Sequence, residues 1–228
     1  MQQLVNGLAV GSIYALIALG YTMVYGTIKL INFAHGDVYM MGAFIGYFAV
    51  MVLKMNVFVA LLVAMVACAV LGVVIERVAY KPLRNSTRVA ALITAIGVSY
   101  LLENAMSYFF GAESRPFPSD FGTETITLFG DVSVNGKQIL IFVVTVVLMA
   151  LLQFIVRYTK MGKAMRAVAV DEQAAQLMGI DVDGVISFTF ALGSALAGIA
   201  GVLVGVYYNT ISTTMGITVG LKAFVAAV

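Results

Sequence analysis

Apolar residues run through this chain in long blocks with few or no charges, divided by short polar breaks. The blocks at 4–28, 31–53, 55–75, 89–112, 139–156 and 184–208, with a partial one over 217–228, each approach the roughly 20 residues that a helix needs to cross a bilayer. No segment reads as an alternating strand, and in lipid only helices and closed barrels satisfy their own backbone. The pattern therefore predicts an all-α polytopic transmembrane helical bundle, one domain over 1–228, with six complete spans and a partial seventh.

The polar breaks orient the bundle. Residues 76–88 carry Arg77, Lys81, Arg84 and Arg88 against Glu76, and the segment 157–183 opens with Arg157, Lys160, Lys163 and Arg166. Both are predicted to be cytoplasmic, because basic loops stay inside. The stretch 113–137 holds Glu113, Asp120, Glu124 and Asp131 against Arg115 and Lys137, which fits the outer face. Counting back places the uncharged N-terminus outside and Lys29 inside, leaving Lys54 alone on the unexpected side. The start has no basic n-region of a cleaved signal. Asn85-Ser86-Thr87 matches a glycosylation acceptor but falls in a loop assigned to the cytoplasm.

Composition narrows the class further. Of 228 residues, 62% are hydrophobic and 11% charged, too little polar surface for a globular body in water. The mean hydropathy of +1.03 agrees. Thirteen basic and eleven acidic residues give a formal charge of +2, with no arginine-rich run, so nucleic acid is not a partner. One cysteine, Cys68, and one histidine, His35, exclude an internal disulfide and a multi-histidine metal centre. Gly193, Ala197, Gly201 and Gly205 recur every four residues, as do Gly7, Gly11 and Ala15, and Gly42 with Gly46. Such ridges let helices approach closely.

Three places interrupt the apolar pattern. Glu103 falls inside the fourth block, and Ser99, Glu103 and Ser107 lie at i, i+4 and i+8 beside Tyr100, Asn104 and Tyr108. A carboxylate at membrane depth costs about 2.5–3.5 kcal/mol, so this stripe should face a water-filled path or another helix. The segment Lys29–Asp37 brings charge between two spans with little room for a loop and reads as a broken helix at membrane depth, with His35 and Asp37 as a possible proton relay or a polar junction. In 157–183, Val170, Ala174, Leu177 and Met178 fall on one helical stripe, and Gly179 is a natural stop. A short amphipathic helix held at the inner face, docking on a partner protein, is predicted there. Anionic lipid fits its acidic face poorly.

At Gln173-Ala174-Ala175 followed by Gly179 the sequence is similar to the EAA loop of ATP-binding-cassette importer permeases. The run from Arg166 to Ile180 resembles the form found in branched-chain amino acid permeases of the leucine/isoleucine/valine type. Gly11 to Gly26, Ile31 to Gly36 and Glu76 to Arg84 resemble the same family, so the likeness extends over essentially the whole chain. Two departures stand out: Gln173 replaces the Glu of the general motif, and no Ile-x-Leu-Pro follows Gly179.

The resemblance implies a multi-pass protein of the bacterial inner membrane, with no catalytic residue and no cofactor of its own. ATP and magnesium would be used by partner ATPase subunits. A second permease subunit, usually a related chain, and a periplasmic substrate-binding protein are the other implied partners. The expected coupling residues are Arg166, Asp171, Glu172, Gln173, Ala174, Ala175 and Gly179. The expected polar lining of the path is Tyr21, Tyr25, Asn32, His35, Gly36, Glu103 and Asn104. Family members continue with further spans beyond Phe224, so a C-terminally shortened chain is expected. Close relatives carry urea and short amides, which leaves the substrate open among these. A stand-alone ion-coupled transporter using Glu103, His35 and Asp37, and a structural membrane partner, are the competing readings.

Overall fold

The long apolar runs fold as helices because each closes its own backbone hydrogen bonds where water cannot. A computed structural model describes residues 2–29, 32–84, 86–117, 125–129 and 132–227. Of the positions considered above, Ile31, Asn85, Asp120, Glu124, Asp131 and Val228 lie outside these. The elements are α1 (Gln2–Ile28), α2 (His35–Met51), α3 (Val57–Ile75), α4 (Arg88–Phe110), β1 (Arg115–Pro116), β2 (Thr125–Phe129), β3 (Val132–Asn135), α5 (Gly136–Tyr158), α6 (Lys160–Val170), α7 (Glu172–Leu177), α8 (Val182–Tyr208), β4 (Thr210–Ile211) and α9 (Met215–Ala227).

Helix starts follow local chemistry. Asn56, Thr87, Thr159 and Asp181 stand just before α3, α4, α6 and α8, and each side-chain oxygen accepts from a backbone N–H of the first turn. At α5 the Asn135 N–H donates to Gln138 Oε1 at 3.1 Å, one half of a capping box.

Five helices among the described residues are long and apolar enough to cross a membrane: Gln2–Ile28, Val57–Leu83, Val89–Phe110, Gly136–Tyr158 and Val182–Tyr208. The expected second span, 31–53, is corrected to the 17 residues of α2. At 1.5 Å per residue that helix is about 26 Å long, short of the roughly 30 Å hydrocarbon core. The third span is longer than expected. α3 continues through a π-type turn, Glu76–Tyr80, and a short 3₁₀ turn, Lys81–Leu83, so the basic segment 76–88 is mostly helix.

α8 is the hub, packing against α3, α2 and α1. Lipid tails are as apolar as side chains, so helices in a membrane gain little from burial alone and associate through close van der Waals contact. The four-residue ridge on α8 serves that purpose. Gly193 meets the backbone of Gly20, Gly201 meets Tyr39 and Ala43, and Gly205 meets the Phe117 ring. Gly42 and Gly46 of α2 lie against Gly198 and Val202. On α1, by contrast, none of the described residues reaches Gly7 or Gly11. Spacing marks a smooth face but not whether a neighbour reaches it.

Two of the loops contain strands that the sequence pattern did not predict. β1 pairs antiparallel with β4, Arg115 opposite Ile211, and β2 pairs antiparallel with β3. These pairs are too short to alternate detectably. The Gln2 side chain pairs with the Ser133 backbone in both directions, at 2.8 and 2.9 Å, and Lys137 Nζ donates to Asn209 Oδ1 at 2.6 Å. The ends of α1, α5 and α8 are thereby tied together on one face.

Candidate functional site

The break between α1 and α2 creates the first polar site. Lys29 adopts the left-handed region, φ 54°, and ends α1, its N–H still bonded to Tyr25 O at 2.8 Å. Asn32, Phe33 and Ala34 then turn the chain, with the His35 N–H donating to Asn32 O at 3.1 Å. Asn32 is buried and its Oδ1 accepts from the Tyr80 hydroxyl at 2.9 Å. His35 is buried against Gly20, its ring packed edge-on against Tyr21 at 4.7 Å. Gly36 sits where α2 crosses α9, against Gly216 and Gly220, and a side chain there would collide with the Gly216 carbonyl.

Beside this break lies a pocket of about 140 Å³, walled by α1, α2, α4 and α9. Tyr21, Asp37, Ser99 and Glu103 supply its polar groups, and Phe33, Ile96, Ile217 and Leu221 much of its apolar wall. The structure thus brings together two of the expected path residues, Tyr21 and Glu103, from helices far apart in sequence. Ser99 is placed to hydrogen-bond the Asp37 carboxyl, and Glu103 is near enough to act on it electrostatically. Two residues stand apart. Asn104 points outward and bonds Tyr100 O of its own helix at 2.7 Å, and Tyr25 is half-buried one turn from Tyr21 without lining this pocket. The expected path list lacks Asp37, which the sequence marks only beside His35, and every lining residue from α9, Gly216 and Gly220 among them.

A second polar cluster lies at the end of α3. Glu76 is fully buried in the π-type turn, yet every contact suits a carboxylate: Arg84 pairs with Oε1 and the Ser187 hydroxyl donates to Oε2 at 2.7 Å. Arg84 also pairs with Asp183, which Lys81 contacts at 2.7 Å. The cluster joins α3 to the start of α8. Its only sequence signal is an acid at the end of an apolar run followed by basic residues, and nothing local points to Asp183 or Ser187.

Beneath that cluster a cavity of about 290 Å³ is lined by Lys29, Tyr80, Arg84, Glu172 and neighbouring apolar residues. Glu172 opens α7, so the segment expected to couple to a partner reaches the ends of α1 and α3. The single short amphipathic helix expected to carry Val170, Ala174, Leu177 and Met178 is corrected here. Asp171 ends α6 and caps α7, its Oδ1 accepting from the Ala174 N–H at 3.0 Å. That break resets the helical phase. Ala175 faces inward, while Gln173 and Ala174 are exposed, and Val170, Leu177 and Met178 are 83%, 89% and 82% exposed.

Gly179 stops α7 as expected, at φ 82°. Its N–H donates to Gln176 O at 3.0 Å and the Ile180 N–H to Ala175 O at 3.1 Å, the paired bonds of a Schellman motif. Arg166 is exposed at the surface. Its guanidinium donates to the carbonyls of Val156 and Arg157, satisfying the last turn of α5 and countering its dipole.

The family model described as "Branched-chain amino acid transport system / permease component" matches residues 3–228. The chain is 43% identical over 239 residues to the high-affinity branched-chain amino acid transport system permease protein LivH of Escherichia coli strain K12, all of this chain and 78% of the relative being covered. It is likewise 43% identical to the permease protein BraD of Pseudomonas aeruginosa, over 241 residues with the same coverage. A probable LivH of Methanocaldococcus jannaschii is 30% identical, with 95% of this chain and 70% of that one aligned. No solved structure matches the chain.

Proposed function

The chain belongs to the family of permease components of branched-chain amino acid transport systems, and from that premise we propose that it forms part of the membrane path of an ATP-binding-cassette importer for branched-chain amino acids. It is a multi-pass protein of the bacterial inner membrane. Membership of such a family implies an ATPase and further transporter components. In this reading they are two ATPase subunits on the inner face, a second permease subunit in the bilayer and a substrate-binding protein on the outer face. The permease itself carries out no covalent chemistry, and ATP with magnesium is consumed by the partner.

One observation carries the reading. α7 is a short capped helix at the inner face whose Leu177 and Met178 project almost fully exposed, an arrangement that favours burial against another protein. Asp171 and Gly179 hold its two ends, Ala175 seats it, and Glu172, Gln173 and Ala174 form its outward and cavity-facing surface. Closure of the ATPases would press on α7. Through the cavity shared by Glu172, Lys29 and Arg84, that movement reaches the inner ends of α1 and α3 and biases the bundle between outward and inward access.

Reconstitution of the chain with its ATPases, partner permease and binding protein tests this. ATP-dependent uptake of leucine, isoleucine or valine, stimulated by loaded binding protein, is expected. Uptake without any ATPase would overturn the importer reading, and uptake of urea in place of the amino acids would overturn the substrate. Leu177→Asp is expected to leave membrane insertion normal and to abolish co-purification with the ATPase.

A further inference from the structure

We propose that the pocket between α1, α2, α4 and α9 is the subsite that receives the α-ammonium group and aliphatic side chain of the transported amino acid. This rests on the importer reading above and adds to it which part of the substrate meets which residues.

The charges in the pocket are one-sided. Asp37 and Glu103 contribute two carboxyl groups, and the described lining contains neither Lys nor Arg. At membrane depth, acidic groups without a partner are costly, which makes an arriving cation the natural counter-charge. Two further atoms point the same way. The Tyr21 hydroxyl and Asp37 Oδ1 are buried with no hydrogen-bond partner among the described residues, and both residues are 2% exposed and line the pocket. Buried polar atoms are normally paired, so an unpartnered hydroxyl and carboxylate oxygen at one cavity mark the place of an absent ligand. A primary ammonium has three N–H donors, and Asp37, Glu103 and the Tyr21 oxygen offer three acceptors.

The rest of the wall selects the kind of cation. A hard metal ion seeks six or more oxygen ligands, whereas Phe33, Ile96, Ile217 and Leu221 enclose the polar corner with hydrocarbon. An ammonium carrying a branched aliphatic tail satisfies both surfaces. The volume of about 140 Å³ is close to the roughly 150 Å³ that accepts a six-carbon ring in an apolar cavity. The edge-on His35 ring fixes the orientation of Tyr21, so its hydroxyl is held at the pocket.

The test uses the assembled transporter in lipid nanodiscs, without ATP or binding protein, and three probes: isopentylammonium, isocaproate and sodium ion. Isopentylammonium is expected to bind and isocaproate, which keeps the tail but carries the opposite charge, is not. Glu103→Gln and Asp37→Asn should each weaken isopentylammonium binding by about tenfold or more, the usual worth of a hydrogen bond to a charged group. Tyr21→Phe should cause a smaller loss. Co-purification with the ATPase reports assembly of each variant, and if Asp37→Asn fails it, Glu103→Gln and Tyr21→Phe decide. Equal binding by wild type and variants, binding of isocaproate as tight as that of the amine, or sodium binding that the amine does not displace would each overturn the subsite. ATP-driven leucine uptake by the wild type tests the importer reading separately, and amine binding is measurable whichever way that test falls.

Discussion

Glu76 and Asp37 are both almost fully buried carboxylates, 0% and 2% exposed, in the same bundle, and they are treated in opposite ways. Glu76 meets Arg84 and the Ser187 hydroxyl, and Arg84 in turn meets Asp183. Asp37 lies beside Ser99 and a second carboxylate, and its own Oδ1 has no partner among the described residues. A buried charge is tolerated when it is paired and hydrogen-bonded, so the Glu76 cluster reads as a joint between α3 and α8. The Asp37 pocket lacks such pairing among the described residues, and that difference separates a site that holds the fold together from one kept for something that arrives.

The largest effect is expected where the pairing is complete. Arg84→Ala leaves Glu76 buried and unmatched, and should destabilise the protein by about 3–5 kcal/mol, seen as a lower thermal unfolding midpoint in detergent. The double variant Glu76→Gln with Arg84→Met removes both charges and is expected to recover most of that loss. If the double variant is no better than Arg84→Ala alone, Glu76 is not a paired charge in the sense drawn here.

Tyr80 joins the two regions. It lies in the π-type turn beside Glu76, yet its hydroxyl reaches across to Asn32 in the break before α2. Tyr80→Phe leaves the Asn32 oxygen short of a donor, and a loss of about 1–3 kcal/mol in the same unfolding measurement is expected. Asp37→Asn should differ in sign. Removing a charge that has no counter-ion among the described residues is expected to stabilise the protein by an amount on the order of 1 kcal/mol, while amine binding falls. A destabilisation as large as that of Arg84→Ala would show that Asp37 has a structural partner after all and would erase the contrast.

Much of this arrangement could be read before any coordinates, and the parts that could not share a cause. The spans of α1, α3, α4, α5 and α8 were legible because long apolar runs have few alternatives in a bilayer. Glu103 was legible as a misplaced charge, and Gly179 as a helix stop with the positive φ that favours glycine. Periodicity failed wherever phase or neighbours mattered. Asp171 splits the stripe from Val170 to Met178, because a capping aspartate serves the following helix instead of continuing the previous one. Gly7 and Gly11 share the spacing of the α8 ridge but meet none of the described residues, and Asn104 shares the polar stripe of Glu103 but turns away from it. The pairing of Glu76 with Ser187 spans 111 residues, a distance over which no local pattern operates.

The smallest effect sets the boundary of the paired region. Lys81 contacts Asp183 at 2.7 Å, but the two side chains are 50% and 52% exposed, unlike the Glu76–Arg84 pair behind them. Water screens such a pair, and holding a long lysine side chain in one geometry costs entropy, so exposed ion pairs are worth about 0.2–1 kcal/mol at most. Lys81→Met should therefore lower stability by less than about 0.5 kcal/mol, and raising the salt from 0.01 to about 1 M, which shortens the screening length from roughly 30 to 3 Å, should remove the difference. A double-mutant cycle with Asp183→Asn isolates the pair from other effects of either change. If Lys81→Met proves as damaging as Arg84→Ala, the stabilising energy is spread over the whole charged cluster. Burial of Glu76 would then no longer explain why that site is matched internally while the Asp37 pocket is left open.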